Sequence, residues 1–305
     1  MDNLTHSLVG ALIGQAGLKR KTGLAMPALV IGANLPDIDA GCVLLGDMQH
    51  LALRRGITHG PIAWVLLPLA LAGLLYGWDR WQARRGRRPE SRRPVHFGWL
   101  YALAFIGCLS HPALDWLNSY GVRLLAPFSS RWFYGDVLFI IDLWLWLGLG
   151  FATWLSLRRE KRGGEWRRPA QVALAASLAY VGLNAAITWQ AERSVADAPT
   201  GTEQVIANPQ PLASYRRSVV SGGNGLYAVD GETLPGVPLD RCDLAAARAA
   251  VPAVDNFLIW ARAPFVTPRE DGTHLLGDAR FADSRSQSRF SVVLPQGTCP
   301  ERPGA

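Results

Sequence analysis

Five stretches of this chain run for about the thickness of a bilayer's hydrocarbon core with almost no charge: Thr22 to Gly46, Gly60 to Trp78, Phe97 to Gly121, Val137 to Leu157 and Ala170 to Gln190. A membrane-spanning helix needs roughly 20 such residues. Within the bilayer only a helix or a closed barrel satisfies every backbone N–H and C=O. The expected fold of residues 1–191 is therefore an all-α transmembrane helix bundle. A sixth segment, Leu4 to Leu18, is shorter and rich in small residues; Gly10 and Gly14 give it a stripe along which a neighbouring helix can lie close. No basic region precedes it and no small-residue cleavage site follows it, so it does not read as a cleaved leader.

The formal charge of +7 over 305 residues invites a nucleic-acid reading, but the basic residues are not interleaved with aromatics along one stripe. They sit between the apolar segments: Lys19 to Lys21, the run from Arg80 to Arg93, and Arg158 to Arg168. Short basic loops mark the cytoplasmic side. Alternation then puts the N-terminus outside, followed by six membrane segments, with the chain from about Glu192 outside again. The expected location is the bacterial cytoplasmic (inner) membrane.

Residues 192–305 differ in material, with frequent Gly and Pro, turn-like "SGGNG" and "DGETLPG", and runs such as "YRRSVV", "NFLIWARAPFV" and "RFSVVLP" that suit strands. They are expected to form a small extracytoplasmic α+β or β-rich domain with one helix at Leu239 to Ala250. In an oxidising compartment Cys242 and Cys299 are expected to pair. Cys42 and Cys108 read as free thiols within membrane segments.

An isolated charge at mid-membrane costs at least ~2.5–3.5 kcal/mol, so each ionisable residue in a span needs a reason. His6 starts the first segment. Asp37 and Asp39 lie late in an outward-running one, and His59 opens an inward-running one. His111 and Asp115 lie late in the next, and Asp136 and Asp142 early in the one after. All fall toward the same membrane face, where unrelated residues would divide between both. His111, Asp115 and Asn118 stand at i, i+4 and i+7, one helix face. Asp37 and Asp39, two residues apart, would point to opposite sides of a continuous helix. Pro36 suggests that the span breaks near Asn34–Pro36, with Asn34 as the N-cap of a new helix.

A cluster of His and carboxylate facing a cavity can hold divalent metal, whose charge makes buried carboxylates tolerable. The mixed N/O donors His6, Asp37, Asp39, His59, His111 and Asp115 suit zinc, with manganese or iron as alternatives. They are numerous enough for one or two ions. Arg54 and Arg55, just before His59, suggest an anionic substrate, phosphate above all. Asp37, Arg54, Arg55 and Asn118 are the candidate catalytic residues. Asp37 reads equally as an orienting group, and Asp142 as an outer carboxylate or the partner of an arginine.

The stretches "TH" at Thr5–His6, "NLPDID", "RRGITHG" and "HPALDWLNSYG" together resemble the YdjM-type membrane-bound metal-dependent hydrolases of the inner membrane, a family distantly similar to zinc-dependent phospholipase C and P1 nuclease. "FLIWARAPFV" and "DARF" resemble the tail of its longer members. The resemblance implies Asp39 or Asp37 with His59, His111 and Asp115 at one ion, and His6 with Asp115, as a bridging carboxylate, at another. The later His and Glu of the soluble relatives have no match here. The resulting expectation is hydrolysis of a phosphoester, a phospholipid or other lipid phosphate, with membrane lipids as partners and no nucleic acid. A transporter or ion-binding protein, and a scaffold with a structural metal, are the rival expectations.

Overall fold

Pro36 decides the course of the chain after the second helix. The structure, a computed structural model, describes residues 1–196, 203–282 and 290–300. Helix α1 (Asn3–Gln15) begins where the Asp2 carboxylate accepts the backbone N–H groups of Leu4 and Thr5 at 2.9 and 3.0 Å, the usual way an N-cap satisfies otherwise unpaired donors. Helix α2 (Ala25–Gly32) ends four residues before Pro36, because proline has no N–H to offer the Gly32 carbonyl. The Asp37 N–H turns instead to the Asn34 carbonyl at 3.2 Å. The chain continues as a 3-10 stretch, Leu35–Leu45, bent by 40° from α2. The Asn34 Nδ2 donates to Ser7 Oγ at 3.0 Å and to the Val30 carbonyl at 2.8 Å. The break leaves the Ala33 carbonyl outside the helical ladder.

Beyond this stretch come α3 (Asp47–Leu53), α4 (Pro61–Arg84), α5 (Phe97–Trp116), α6 (Leu143–Lys161) and α7 (Arg167–Ala196). Among the described residues three helices, α4, α5 and α7, are long and apolar enough to cross a membrane, and a bent pair, α2 with Leu35–Leu45, makes up to four. Six segments are expected from sequence. The two that fall short do so for visible reasons: α1 has only 13 residues, and the last turn of α6 carries Arg158, Arg159 and Lys161.

Two compact units divide the chain. The first comprises Met1–Asp39, Arg55–Ala185 and Pro211–Tyr215; the second comprises the described parts of Ala40–Arg54, Ala186–Gln210 and Arg216–Ala305. In the first, Ala28, Leu29, Leu71, Leu100 and Leu103 form one buried core, and Leu12, Leu138, Leu145 and Leu149 another. Helices α1, α2 and α5 approach closely. A Cβ on Gly107 of α5 would stand 2.5 Å from the Leu29 carbonyl oxygen of α2, and one on Gly10 of α1 2.9 Å from the same atom. Gly107 lies one turn before His111 and Gly10 one turn after His6, so the absence of these side chains lets both imidazoles reach one place.

In the C-terminal region, β1 (Gln204–Gln210), β2 (Ala213–Gly223), β3 (Leu226–Val229) and β4 (Glu232–Thr233) form one sheet in that order. Helices α8 (Leu244–Ala250) and α9 (Pro252–Trp260) precede β5 (Pro264–Pro268), β6 (His274–Asp278) and β7 (Ser291–Leu294), an antiparallel three-stranded sheet. The region is thus β-rich. The expected helix at Leu239 to Ala250 is divided into a 3-10 turn, Leu239–Arg241, and α8, whose N-cap Asp243 accepts the Ala246 N–H at 2.9 Å. "NFLIWARAPFV" is only half strand. Pro252 at the first turn and buried Val254 and Phe257, three residues apart, impose the helical period of α9 before β5 begins. Cys242 and Cys299 are disulfide-bonded, and Cys42 and Cys108 are free.

Candidate metal centre

The broken helix supplies the first fixed point of the site. The carbonyl of Ala33, released from the ladder at Pro36, lies 2.7 Å from His111 Nδ1. A carbonyl only accepts, so Nδ1 carries a proton and Nε2 is the nitrogen turned toward the other side of the ring. His59 is fixed in the same sense. Its Nδ1 lies 3.4 Å from Asp39 Oδ2 and 3.0 Å from Thr58 Oγ1, while Thr58 Oγ1 donates to the same Asp39 oxygen at 2.8 Å. A carboxylate on one imidazole nitrogen, with the other nitrogen turned inward, is the arrangement that orients metal-binding histidines.

The inward atoms converge. His59 Nε2 and His111 Nε2 stand 3.3 and 3.5 Å from Asp115 Oδ2, and His111 Nε2 is 3.6 Å from Asp37 Oδ1. One donor atom from each of Asp37, His59, His111 and Asp115 lies within 4.8 Å of the other three. His59, His111 and Asp115 are fully buried, and Asp37 is 8% exposed. His59 Nε2 and His111 Nε2 have no hydrogen-bond partner, and Asp115 Oδ2 is shared with the Arg55 guanidinium, whose Nε lies 3.0 Å away. Buried lone pairs facing one another repel unless a cation lies between them. Two ligands about 2.0–2.1 Å from a tetrahedral ion are themselves roughly 3.3–3.4 Å apart, close to the spacings here. The residues present therefore fit a divalent metal.

The other face of Asp115 is also occupied. His6 Nε2 lies 3.4 Å from Asp115 Oδ1, and the buried α-amine of Met1 contacts that same oxygen. His6 stacks on His111 with ring centroids 3.7 Å apart, and neither His6 nitrogen has a hydrogen-bond partner. Asp115 thus presents one oxygen to Asp37, His59 and His111 and the other to His6.

Of the candidates read from sequence, the structure joins His6, Asp37, His59, His111 and Asp115 directly, with Asp39 behind His59. Arg55 is 1% exposed and is held through its N–H, its carbonyl and its guanidinium. Its N–H donates to Asp39 Oδ2 at 2.8 Å and its carbonyl accepts from the Arg123 N–H at 2.9 Å. Its Nε is 3.0 Å from Asp115 Oδ2, and Nη1 donates to Asn118 Oδ1 at 3.0 Å and to the Gly121 carbonyl at 3.1 Å. Asn118 stands just past the end of α5, which stops at Trp116. Arg54 belongs to the second unit, where its Nη1 is 3.4 Å from His50 Nε2. Asp142 lies elsewhere in the first unit, capping α6 through the Leu145 N–H at 2.9 Å and accepting from Tyr180 Oη at 3.0 Å. Thr58 escapes the sequence reading. The only signal for Thr58 is that both Thr5–His6 and Thr58–His59 place threonine before histidine.

Apolar helices able to cross a membrane, enclosing a buried His and carboxylate cluster able to hold a cation, define a membrane protein with a candidate metal centre. The match to known families is specific: residues 1–191 fit the model of the YdjM inner membrane protein family, and the chain belongs to that family. A stretch of 140 residues is 29% identical to the uncharacterized protein YfhP of Bacillus subtilis (strain 168), covering 43% of this chain and 39% of that protein. The chain thus spans well under half of that relative's length. No solved structure matches.

Proposed function

We propose that the protein is a metal-dependent hydrolase of phosphoesters borne on membrane lipids, with its centre toward the outer face of the cytoplasmic membrane. The observation that carries this reading is the convergence of two buried, unpartnered imidazole nitrogens, His59 Nε2 and His111 Nε2, on Asp115 Oδ2, with Asp37 beside them. A divalent cation bound there supplies a more acidic water and a polarised phosphoryl oxygen. Zinc suits the donors, with manganese and iron as alternatives; a second ion on the His6 side would have to displace the Met1 amine from Asp115 Oδ1.

The chain's own residues do the remaining work. Asp39 and the Ala33 carbonyl orient the two imidazoles through Nδ1, which turns both Nε2 atoms toward the cluster. Asp37 faces the cluster through Oδ1, 3.6 Å from His111 Nε2, and its second carboxylate oxygen can take a proton from the attacking water. A lipid-borne substrate is supported by the neighbours of the cluster along the chain. Ile38 and Ile57 are 58% and 63% exposed, so apolar side chains flank the site where a soluble substrate would favour polar ones. The outward placement is supported by α5, which begins after the basic run Arg80 to Arg93 and carries His111 and Asp115 at its far end.

The test is release of phosphate or head group from vesicles containing a panel of phospholipids and polyprenyl phosphates by the purified, zinc-loaded chain. Turnover that disappears in His111→Ala is expected. No turnover on any phosphoester, with metal bound, would overturn the reading. The bent pair α2 with Leu35–Leu45 is the observation that favours transport; solute uptake by proteoliposomes without hydrolysis would establish that rival.

A further inference from the structure

Arg55 looks from its sequence like an arm for a substrate anion, yet its guanidinium has protein partners in Asp115, Asn118 and Gly121. Its backbone lies in the left-handed region, with φ of 53°. An arginine has no special ease in that conformation, and it persists only where the surroundings hold it. Here the N–H, the carbonyl and the side chain are all held. Arg55 is therefore not free to swing toward a ligand.

Asn118 is different. It is 1% exposed. Its Oδ1 accepts both from Arg55 Nη1 at 3.0 Å and from the Tyr120 N–H at 2.9 Å. Two donors on one atom settle which end of the amide is oxygen. The Nδ2 group is left buried with no hydrogen-bond partner, three residues beyond Asp115. A buried amide donor without a partner costs about 1–3 kcal/mol, so its retention beside the cluster calls for a ligand that accepts from it.

We infer that Asn118 Nδ2 donates to a non-reacting oxygen of the bound phosphoryl group, and that Arg55 is a positioning residue which sets the Asn118 amide and balances Asp115 without touching substrate. The identity of the anion rests on the phosphoester reading. A neutral donor suits this place. A fixed amide favours the anion as it forms, as oxyanion-hole donors do.

The test is titration of the full chain, purified in detergent and loaded with Zn²⁺, with inorganic phosphate by calorimetry. Wild type is compared with Asn118→Ala, Arg55→Lys and the double variant. Lysine keeps the charge but lacks the fork that holds Asp115 through Nε while Nη1 reaches Asn118 and Gly121. Asn118→Ala is expected to weaken phosphate binding about 10- to 100-fold with zinc content unchanged. Arg55→Lys should weaken it similarly, and the double variant no further, because Arg55 acts through Asn118. Multiplying losses in the double variant would place Arg55 on the phosphate itself and overturn the relay. Unchanged phosphate affinity in Asn118→Ala, or loss of zinc along with it, would overturn the donor role; this arm decides alone if Arg55→Lys does not fold. Wild-type protein that binds phosphate with this dependence yet cleaves no lipid phosphoester would refute the hydrolase reading and leave the anion grip standing.

Discussion

Asp37 and Asp39 are two residues apart, and the structure gives them different work: Asp37 faces the donor cluster, whereas Asp39 stands behind His59. Replacing each by alanine should separate the roles. For Asp39, Oδ2 accepts the Arg55 N–H and the Thr58 hydroxyl, each at 2.8 Å, and lies 3.4 Å from His59 Nδ1. Removing such an orienting carboxylate weakens metal binding about 10- to 100-fold, or about 1.4–2.7 kcal/mol. Asp37→Ala removes a ligand outright. If four ligands share the roughly 10–16 kcal/mol of a structural zinc site, the loss is about 2.5–4 kcal/mol. Asp39→Asn retains an oxygen to accept from Arg55 and Thr58, so it should cost less than Asp39→Ala. The assay is competition for zinc against a chelator of known affinity, in detergent, for wild type and the three variants. Expected zinc affinity falls in the order wild type, Asp39→Asn, Asp39→Ala, Asp37→Ala. Equal losses in Asp37→Ala and Asp39→Ala would mean that both are ligands, and full affinity in Asp37→Ala would remove it from the centre.

Gly107→Ala puts a Cβ 2.5 Å from the Leu29 carbonyl oxygen and 3.0 Å from the Ala33 nitrogen; overpacking of this kind costs about 1–3 kcal/mol. Thermal unfolding in detergent should show the loss, together with weaker zinc retention as the Ala33 carbonyl moves from His111, while Gly98→Ala, which meets nothing within 4 Å, should show neither. In the C-terminal region, burial pushes the Asp278 carboxyl up, but the Arg280 guanidinium, 2.8 Å away, outweighs it and holds the group below the usual carboxylate range. The stability it contributes should be complete above the unfolded value of about 3.9 and disappear as pH falls through the lower folded value. Hydrogen exchange at β5 and β6 should follow that acid limb, and Arg280→Met should abolish it; an unchanged limb would exclude the pair as its source. Cysteines introduced at Ser130 and Gly163 should label from opposite sides of intact cells, and outside labelling of Gly163 would reverse the proposed orientation.

Local chemistry made parts of this arrangement legible in the sequence. Pro36 announces a break because it lacks an N–H, and His111 with Asp115 share a helix face whatever surrounds them. The spans α4, α5 and α7 follow from length and apolarity alone. The division of labour between Asp37 and Asp39 was not legible, because it depends on the direction the 3-10 stretch takes after the break. Nor was the inward role of Arg55, whose partners Asn118 and Gly121 lie 63 and 66 residues away. Its sequence neighbours, "LRRGITHG", suggest an exposed arginine pair; only the left-handed turn after α3 buries one of them. In α9, strand-like composition gave way to tertiary burial of Val254, Phe257 and Trp260 on one face.

Whether the buried His and Asp cluster holds metal is decided most directly by the metal content of detergent-purified protein, measured by inductively coupled plasma mass spectrometry. Wild type is expected to carry one or two equivalents of a divalent transition metal per chain. His111→Ala and Asp115→Asn, each monodisperse in detergent, are expected to lose it. A wild type that remains empty after incubation with zinc, manganese and iron, or full occupancy in both variants, would contradict the assignment of a metal centre.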